Sequence, residues 1–444
     1  MTGSARSAEI GIGLVSVGWM GRLHSQAYGR VNYHYPDLSL RPRLVIAADV
    51  LAGQRDFAVR SLGYEQATGD WRAVVEHPRV QAVSITAPNY LHREIACAAA
   101  AAGKHFWIEK PAGRTAGDAA AIAAAADSAG VRTAVGFNYR HAPLVAHARE
   151  LVSSGRLGRV THVRGWFLND YAAEPGGALS WRFRRGHAGL GVLGDLMIHA
   201  VDLLQYLLGP VTEVNALTAV VIPERPLPGE GPSTHFAVVE GGPDGATGPV
   251  ENEDYAAALL RFASGPAGPP GPAGTVEASR VSVGPRCQLG FGIYGTDGSV
   301  AWDFERMNEL RACLGRGGAE HGYRTVLAGP GHGDYSRFQP GPAISMSYDD
   351  LKVIEAALFL RSIEAGRQLA PGTSDALAAS RVVDAMARSA GTGTWQPVTP
   401  VPPPVAAADT PPARLPGSAP APAPGAGTAA APGAGTAADR SARP

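Results

Sequence analysis

Short apolar runs alternate with longer helix-like segments through the first 140 residues. Nearly continuous apolar stretches occur at residues 10–17, 44–48, 80–86, 105–108 and 131–137. Such runs are typical of strands buried on both faces of a parallel sheet. The segments between them are long enough for helices, and several are rich in alanine. This alternation predicts an α/β fold with a doubly wound parallel sheet, the Rossmann architecture.

The pattern changes after residue 140. A helix predicted at residues 144–153 leads to β-like runs at 160–168, 211–222, 255–262, 275–283, 288–294 and 299–304. Two further helices are predicted at residues 348–364 and 374–389. Strands that follow one another in this way are typical of an α+β domain.

Composition sets the limits of the two domains. Residues 396–444 are mostly Pro, Ala and Gly, and such a segment buries too little apolar surface to offset the entropy of ordering. We therefore predict a nucleotide-binding domain at residues 9–140, a second domain at 141–395 and a disordered tail at 396–444. Residues 223–248 and 264–274 read as loops for the same reason.

Charge and cysteine usage exclude several classes of protein. The 39 basic residues equal the 39 acidic ones, which argues against binding of nucleic acid. Three widely spaced cysteines suggest neither a disulfide framework nor a metal site, so no metal is expected. The N-terminus lacks a signal-like apolar segment, and no run of about 18 apolar residues is evident, so no membrane association is expected. A cytoplasmic protein fits these features.

A glycine-containing turn at residues 16–21 joins the first strand to the first helix. The dinucleotide-binding fingerprint G-x-G-x-x-G occupies this position. Gly18 would let the backbone approach a pyrophosphate, and Gly21 would let the helix pack on the strand. Ser16 replaces the first glycine of the motif, so the turn there is expected to differ. Gly11 and Gly13 offer a competing register, but no helix would follow it.

The second strand ends at Asp49. An acid there accepts hydrogen bonds from a ribose diol and repels a 2′-phosphate, which favours NAD over NADP. Asp49 lies 28 residues after Gly21, a long interval that fits an insertion before the strand. Two alternatives stay open: Asp49 caps the next helix, or Arg55 accommodates the phosphate of NADP.

Two further stretches carry candidate chemistry. Glu109 and Lys110 end a short strand and precede Pro111, which keeps Lys110 extended at the edge where α/β sheets bind ligands. Asp195, His199 and Asp202 are spaced i, i+4 and i+7 on an otherwise apolar helix, so they would share one face. The alternatives are a strand ending in surface charges, and an N-cap aspartate followed by a core histidine.

The ordered motifs resemble the Gfo/Idh/MocA family of oxidoreductases. They are SVGWMGRLHSQAY, TAPNYLHREIACAAAAAGKH, EKP and FNYR, followed by LSWRF, AGLGVLGDLMIHAVD and IPERPL. Within that family the chain is most similar to sugar dehydrogenases of the levoglucosan and inositol types, over residues 9–398. The resemblance implies a large, mostly antiparallel open sheet in the second domain. It also implies a homo-oligomer, either a dimer or a tetramer.

The resemblance assigns roles to individual residues. Catalysis would fall to Lys110, Asp195 and His199. The cofactor, NAD rather than NADP, would contact Val17, Gly18, Trp19, Met20, Gly21, Asp49, Thr86, Pro88, Asn89, His92, Glu109 and Lys110. The substrate would contact Lys110, Asn138, Tyr139, Asn169, Trp181, Arg182, Asp195 and His199, with Arg140 and Asp170 as weaker candidates.

The expected reaction is NAD-dependent oxidation of a secondary ring hydroxyl, at carbon 3, of a sugar, anhydrosugar, glycoside or cyclitol. A neutral His199 suits the role of general base, and Lys110 would stabilise the developing alkoxide. Arg182, Arg184 and Arg185 leave open an anionic substrate, or a surface cluster without function. The rival functions are an NAD(P)H-dependent keto-sugar reductase, an enzyme that retains its cofactor, and a non-catalytic NAD sensor.

Overall fold

The computed structural model describes residues 8–228, 245–265, 269–317 and 321–401. Within these ranges, the first sheet has six parallel strands in the order β3-β2-β1-β4-β5-β6. This order is that of dinucleotide-binding folds. The strands are β1 (Ala8–Val15), β2 (Leu40–Ala48), β3 (Gln66–Thr68), β4 (Ala82–Ile85), β5 (His105–Ile108) and β6 (Thr133–Val135).

Helices connect these strands and cover both faces of the sheet. They are α1 (Trp19–His34), α2 (Ala52–Phe57), α3 (Trp71–Glu76), α4 (Asn89–Ala101) and α5 (Ala116–Ala129). The predicted parallel sheet is confirmed. The short β3 and α3 escaped prediction, because three residues of sequence QAT carry no apolar run and α3 spans less than two turns.

The second sheet has nine strands in the order β16-β15-β14-β13-β7-β12-β11-β8-β17 among the described residues. Its neighbouring strands run antiparallel, except for the parallel pair β7 and β12. The predicted large, mostly antiparallel sheet is therefore confirmed. Its strands are β7 (Val160–Leu168), β8 (Val211–Ala219), β11 (Tyr255–Phe262), β12 (Ala273–Ser279), β13 (Gln288–Gly295), β14 (Gly298–Asp303), β15 (Glu309–Leu314), β16 (Arg324–Leu327) and β17 (Gln396–Pro397).

Five more helices complete the described chain. They are α6 (Pro143–Ser153), α7 (Arg185–Ala188), α8 (Ile198–Leu208), α9 (Tyr348–Ala365) and α10 (Thr373–Thr392). Residues 185–208 are long and apolar enough to cross a membrane by length and composition, but 78% of the most apolar window is buried inside the fold. Such burial is expected of a core helix. The length and composition of this segment are therefore only weak evidence for a membrane span.

The last two helices contact the first domain although every described strand of the second sheet except β17 precedes them in sequence. Asp350 of α9 pairs with Arg30 of α1 at 2.6 Å. The backbone N–H of Val135 in β6 donates to the carbonyl oxygen of Pro371, just before α10. These contacts bring a distant part of the chain beside the carboxyl ends of the parallel strands.

Three segments predicted to be loops or tail contain strand residues in the structure. Residues 396–397 form strand β17 on β8, so the proposed tail begins after this pairing, and residues 402–444 lie outside the described residues. The two ends of the predicted 223–248 loop form a small antiparallel sheet of β9 (Glu224–Pro226) and β10 (Thr247–Pro249), while 229–244 lie outside the description. In the predicted 264–274 loop, strand β12 already begins at Ala273, and 266–268 are not described.

Candidate active site

A cleft of about 870 Å³ lies at the carboxyl ends of the parallel strands and extends to the second sheet. Its volume is within the range of small-molecule and cofactor sites. Most of the predicted site residues line it: Gly18, Trp19, Met20, Thr86, Pro88, Asn89, His92, Glu109, Lys110, Tyr139, Asn169, Asp170, Trp181, Arg182, Asp195 and His199. The fold therefore gathers residues that are spread over 180 positions of sequence.

The glycine turn forms one wall of this cleft. Ser16 adopts a φ of 75°, the left-handed conformation that the replaced glycine would favour. A Cβ on Gly21 would lie 2.2 Å from the Ser16 carbonyl oxygen, so only glycine allows α1 to approach the strand end this closely. The first turn of α1 contains no acidic residue. Its free N–H groups therefore suit an anion such as a pyrophosphate.

Asp49 supports the same turn from the neighbouring strand. Its Oδ2 accepts a hydrogen bond from the Val17 backbone N–H at 2.8 Å, and its Oδ1 accepts one from Leu51 at 2.9 Å. Arg55 donates to the Asp49 backbone carbonyl at 2.9 Å. The carboxylate retains unused lone pairs for a ribose diol, because each oxygen has about two acceptor sites. Asp49, Val17 and Gly21 shape the turn without lining the cleft.

Lys110 and Asp195 form an ion pair across the cleft. The Lys110 Nζ donates to Asp195 Oδ1 at 2.8 Å and to the Asp195 backbone carbonyl at 2.9 Å. A π-helical turn at Leu193–Met197 precedes α8. The backbone N–H of Asp195 in this turn donates to the carbonyl oxygen of Gly191, which precedes the turn. Asp195 is thus inside a continuous helical segment, and its side chain does not serve as an N-cap.

The charge state of Asp195 follows from its neighbours. Burial alone would raise its pKa, but the Lys110 ammonium, the Arg182 guanidinium and the Tyr171 hydroxyl together hold the pKa well below its ordinary range. The Tyr171 hydroxyl donates to Asp195 Oδ2 at 2.7 Å. The carboxylate is therefore ionised at neutral pH and fixed by donors on both oxygens.

His199 is 93% buried, since only 7% of its surface is exposed. Its ring packs against the rings of Phe137, Tyr139 and Phe167, with centroid separations of 6.0, 4.9 and 6.0 Å. Burial first, and the Lys110 charge second, hold the His199 pKa well below its ordinary value. The imidazole is therefore neutral at physiological pH and able to accept a proton.

Three candidate residues, Asp202, Arg140 and Asn138, lie away from the cleft. Asp202 was expected to share the face of Asp195 and His199, but it pairs with the buried Arg140, whose Nε lies 2.7 Å from the carboxylate. Asn138, predicted to contact substrate, is 1% exposed and does not line the cleft. Its amide has no hydrogen-bond partner within the described part of the chain. A direct contact between Asn138 and substrate is therefore not supported.

The opposite wall carries polar groups suited to a hydroxylated ligand. The guanidinium of Arg182 stacks 4.5 Å from the Trp181 ring centroid. Asp170 pairs with Arg286 at 2.7 Å. The predicted cluster of three arginines does not form a site here, because Arg182 lines the cleft whereas Arg184 and Arg185 do not.

Sequence reasoning missed several residues of this cleft, among them Tyr171, Arg280 and Tyr348. Tyr171 directly follows the predicted Asn169 and Asp170, and this proximity was an available signal. Arg280 follows β12 and pairs with the buried Asp254 at 2.8 Å. Tyr348 opens α9 and stacks on Trp19 with centroids 5.8 Å apart. No local motif marks the last two residues.

Comparisons with known proteins agree with this architecture. Residues 10–137 match the oxidoreductase family described by an NAD-binding Rossmann fold. Residues 145–301 match the GFO/IDH/MocA C-terminal domain. The two matches correspond to the two sheets described above.

Individual relatives cover nearly the whole chain. Levoglucosan dehydrogenase of Pseudarthrobacter phenanthrenivorans is 37% identical over 391 residues, which are 87% of this chain and 97% of that protein. Inositol 2-dehydrogenase of Rhizobium meliloti is 25% identical, over 85% of this chain and 96% of that protein. A solved levoglucosan dehydrogenase in complex with NADH and levoglucosan has a TM-score of 0.81 and 35% identity, and covers 88% of this chain and 100% of its own. The chain therefore belongs to the Gfo/Idh/MocA family of oxidoreductases.

Proposed function

We propose that this protein is an NAD-dependent dehydrogenase that oxidises a secondary ring hydroxyl, at carbon 3, of a neutral sugar, anhydrosugar, glycoside or cyclitol. The observation that carries the proposal is the ion pair of Lys110 and Asp195 beside the buried, neutral His199, in a cleft whose other wall is the glycine turn. Oxidation of an alcohol requires this combination of a proton acceptor and a cation.

His199 would act as the general base. Its pKa lies below neutrality, so the imidazole is free to take the hydroxyl proton of the substrate. Lys110 would stabilise the negative charge that develops on that oxygen. Its ammonium is already held in place in a partly desolvated cleft, so it need not reorient as the charge appears. Asp195 and Tyr171 would keep the lysine in place through the hydrogen bonds described above.

The turn after β1 would hold the cofactor. The N-terminus of α1 would bind the pyrophosphate, and Asp49 would accept hydrogen bonds from the ribose diol. When bound, the nicotinamide of NAD supplies the hydride acceptor. The acidic side chain of Asp49 supports NAD over NADP, since a 2′-phosphate there would meet a negative charge.

The character of the substrate subsite supports a neutral, hydroxylated ring. The indole of Trp181 offers an apolar surface for the C–H face of a pyranose, and the stacked guanidinium of Arg182 offers several donors. Lys110 is neutralised by Asp195 and Arg286 by Asp170. These pairings leave little net positive charge for an anionic substrate.

The test is NADH formation by purified protein with NAD and a panel of neutral pyranoses, anhydrosugars, glycosides and inositols, with NADP run in parallel. A clear rate with one neutral substrate and NAD would support the proposal. Product analysis by NMR would then identify the oxidised carbon. A rate confined to sugar acids or sugar phosphates would contradict the neutral-substrate assignment.

Two other outcomes separate the rival functions. Activity confined to keto-sugars with NADH would favour a reductase, which uses the same residues in reverse. Binding of NADH without turnover of any substrate would favour a cofactor that is retained or a non-catalytic sensor. The complete set of Lys110, Asp195 and His199 supports catalysis over sensing. A cytoplasmic location stays a prediction.

A homo-oligomer, either dimer or tetramer, is part of the proposal. Leu217 of β8 and Leu259 of β11 are 56% and 49% exposed on the face of the large sheet that the helices leave open. They line a shallow cavity of about 360 Å³ together with small residues such as Ala257 and Ala258 and with polar residues that include Arg164 and Glu277. Exposed apolar patches of this kind support contact with another subunit. Light scattering coupled to gel filtration would give the number of subunits.

A further inference from the structure

A second ionic cluster, formed by Glu109, Lys352, Glu355 and His24, is buried beneath the cleft. The Lys352 Nζ lies 2.6 Å from Glu109 Oε1 and 2.9 Å from Glu355 Oε2. The His24 Nε2 lies 3.1 Å from the same Glu109 oxygen. Only 1% of the Lys352 side chain is exposed. A buried ammonium of this kind is costly unless its partners satisfy it.

Lysine is a rare residue in this protein. Of the 39 lysines and arginines in the chain, only Lys104, Lys110 and Lys352 are lysines. Two of the three serve the cleft, Lys110 on its surface and Lys352 beneath it. An ammonium is a compact charge with three donors. Two carboxylates and the Trp107 ring, whose centroid lies 5.5 Å from Nζ, surround that charge.

The position of Glu109 is also fixed by packing. A Cβ on Gly136 would lie 2.5 Å from the Glu109 carboxylate, so glycine at the end of β6 is what leaves room for this side chain. The His24 ring, which reaches Glu109 from α1, stacks on Trp107 with centroids 3.5 Å apart. Residues of α1, of α9 and of the segment that follows β6 therefore all surround the Glu109 carboxylate.

We propose that Lys352 is a positioning residue for the active site, which keeps the Glu109 carboxylate charged and fixed so that the peptide carrying Lys110 is held in place. Glu109 Oε2 accepts a hydrogen bond from the Lys110 backbone N–H at 3.3 Å. Glu109 itself lines the cleft, whereas Lys352 and Glu355 do not. The inference rests on the proposed dehydrogenase function.

The electrostatics of Glu109 agree with this role. Burial alone would raise its pKa, but the Lys352 ammonium and the His24 hydrogen bond hold the pKa below its ordinary range. Burial keeps His24 neutral, with a pKa of about 4, so Lys352 is the main positive partner. The titratable groups that interact with Glu109 from the surrounding elements are His24, His92, His199, Tyr348, Lys352 and Glu355.

The test compares the pH dependence of kcat in Lys352→Met with that of the parent protein. Without Lys352, burial dominates and the Glu109 carboxyl should titrate between about pH 5 and 9. We expect kcat to fall at least about tenfold on the acid side of this new ionisation, while the KM for sugar changes less than threefold. The double variant Lys352→Met/Glu109→Gln should lack the ionisation of Glu109, and any ionisation that it keeps belongs to Glu355, the remaining carboxyl of the cluster.

Glu355→Gln is the matched control. It keeps the contact between Lys352 and Glu109 and changes only the other, fully buried partner of Lys352, so kcat should stay within about threefold and no ionisation should appear. Lys352→Met/Glu355→Gln provides a second variant in which Glu109 is the one carboxylate of the cluster left without its ammonium partner, and it should show the same new ionisation as Lys352→Met.

The outcomes separate the two claims. A parent protein without activity on the whole panel would contradict the proposed function. An active parent with a folded Lys352→Met variant whose pH profile and kcat are unchanged would overturn the role of Lys352. If Lys352→Met and Lys352→Met/Glu355→Gln both fail to fold while Glu355→Gln folds, Lys352 is a structural residue and the inference is also overturned.

Discussion

Replacement of Lys110 by methionine is the sharpest test of the catalytic assignment. Methionine keeps much of the aliphatic chain but removes the ammonium that bonds Asp195 at 2.8 and 2.9 Å. Loss of one preorganised donor to a developing oxyanion costs roughly 10²–10³ in rate, or about 2.7–4 kcal/mol of transition-state stabilisation. We expect a loss of this size in kcat/KM, while NADH still binds.

The pH profile provides a second, independent readout for the same variant. The Lys110 charge contributes to the low pKa of His199, after burial. A base must be unprotonated to act, so the rate is lost as the pH falls through the His199 pKa. Without Lys110 that pKa should rise, and the acid limb of the residual activity should move to higher pH.

Lys104→Met is the matched control, because Lys104 lies at the opposite end of β5. Its Nζ donates to the backbone carbonyls of Val80 at 2.6 Å and of His77 at 3.3 Å. This change should cost about 1 kcal/mol of stability and leave the rate within threefold. Initial rates of NADH formation and fluorescence titration with NADH measure both variants. If Lys110→Met is as active as Lys104→Met, the reasoning is refuted.

Three further outcomes follow from the structure. Burial lowers the pKa of His24 to about 4, so the unfolded chain binds a proton at this histidine more readily than the folded chain does. Acidification from pH 7 to 5 should therefore remove about 2 kcal/mol of unfolding free energy at this site. Urea unfolding curves that coincide at the two pH values would contradict this prediction. Tyr171→Phe removes the 2.7 Å hydrogen bond to the Asp195 carboxylate, which holds Lys110. Because a hydrogen bond to a charged acceptor contributes about 1.5–3 kcal/mol, kcat should fall by about tenfold or more. An unchanged kcat in steady-state kinetics would exclude a positioning role for Tyr171. Gly21→Ala places a Cβ 2.2 Å from the Ser16 carbonyl oxygen and should weaken NADH binding at least tenfold in fluorescence titrations, whereas Gly29→Ala on the same helix, where no atom lies within 4 Å of the added Cβ, should not.

Features that depend on neighbouring residues could be predicted well. The apolar runs gave the parallel strands, because burial on both faces requires side chains that are apolar at successive positions. The turn at Gly18 and Gly21 could be located because a strand precedes it and a helix follows it. Lys110 could be placed at a strand end because Pro111 limits the backbone before it.

The candidate site could be predicted only in part. The spacing marked Asp195 and His199 as candidates, and the family resemblance assigned them roles, but the same spacing did not show that Asp202 lies away from the cleft. Its buried partner Arg140 lies 62 residues earlier in sequence, and no periodicity reveals a pairing over that distance. The π-helical turn around Asp195 also escaped prediction, because it depends on how the backbone packs.

The sequence by itself determined most of the strands and helices, where the glycine turn lies, and which lysine, aspartate and histidine are candidates for catalysis. These are local properties, set by side-chain volume, polarity and backbone freedom. The tertiary structure alone decided which charges meet: Lys110 with Asp195, and Glu109 with Lys352 across 243 residues of sequence. A buried charge acquires its pKa from partners brought by other elements, so the chemistry of the cleft depends on the folded chain.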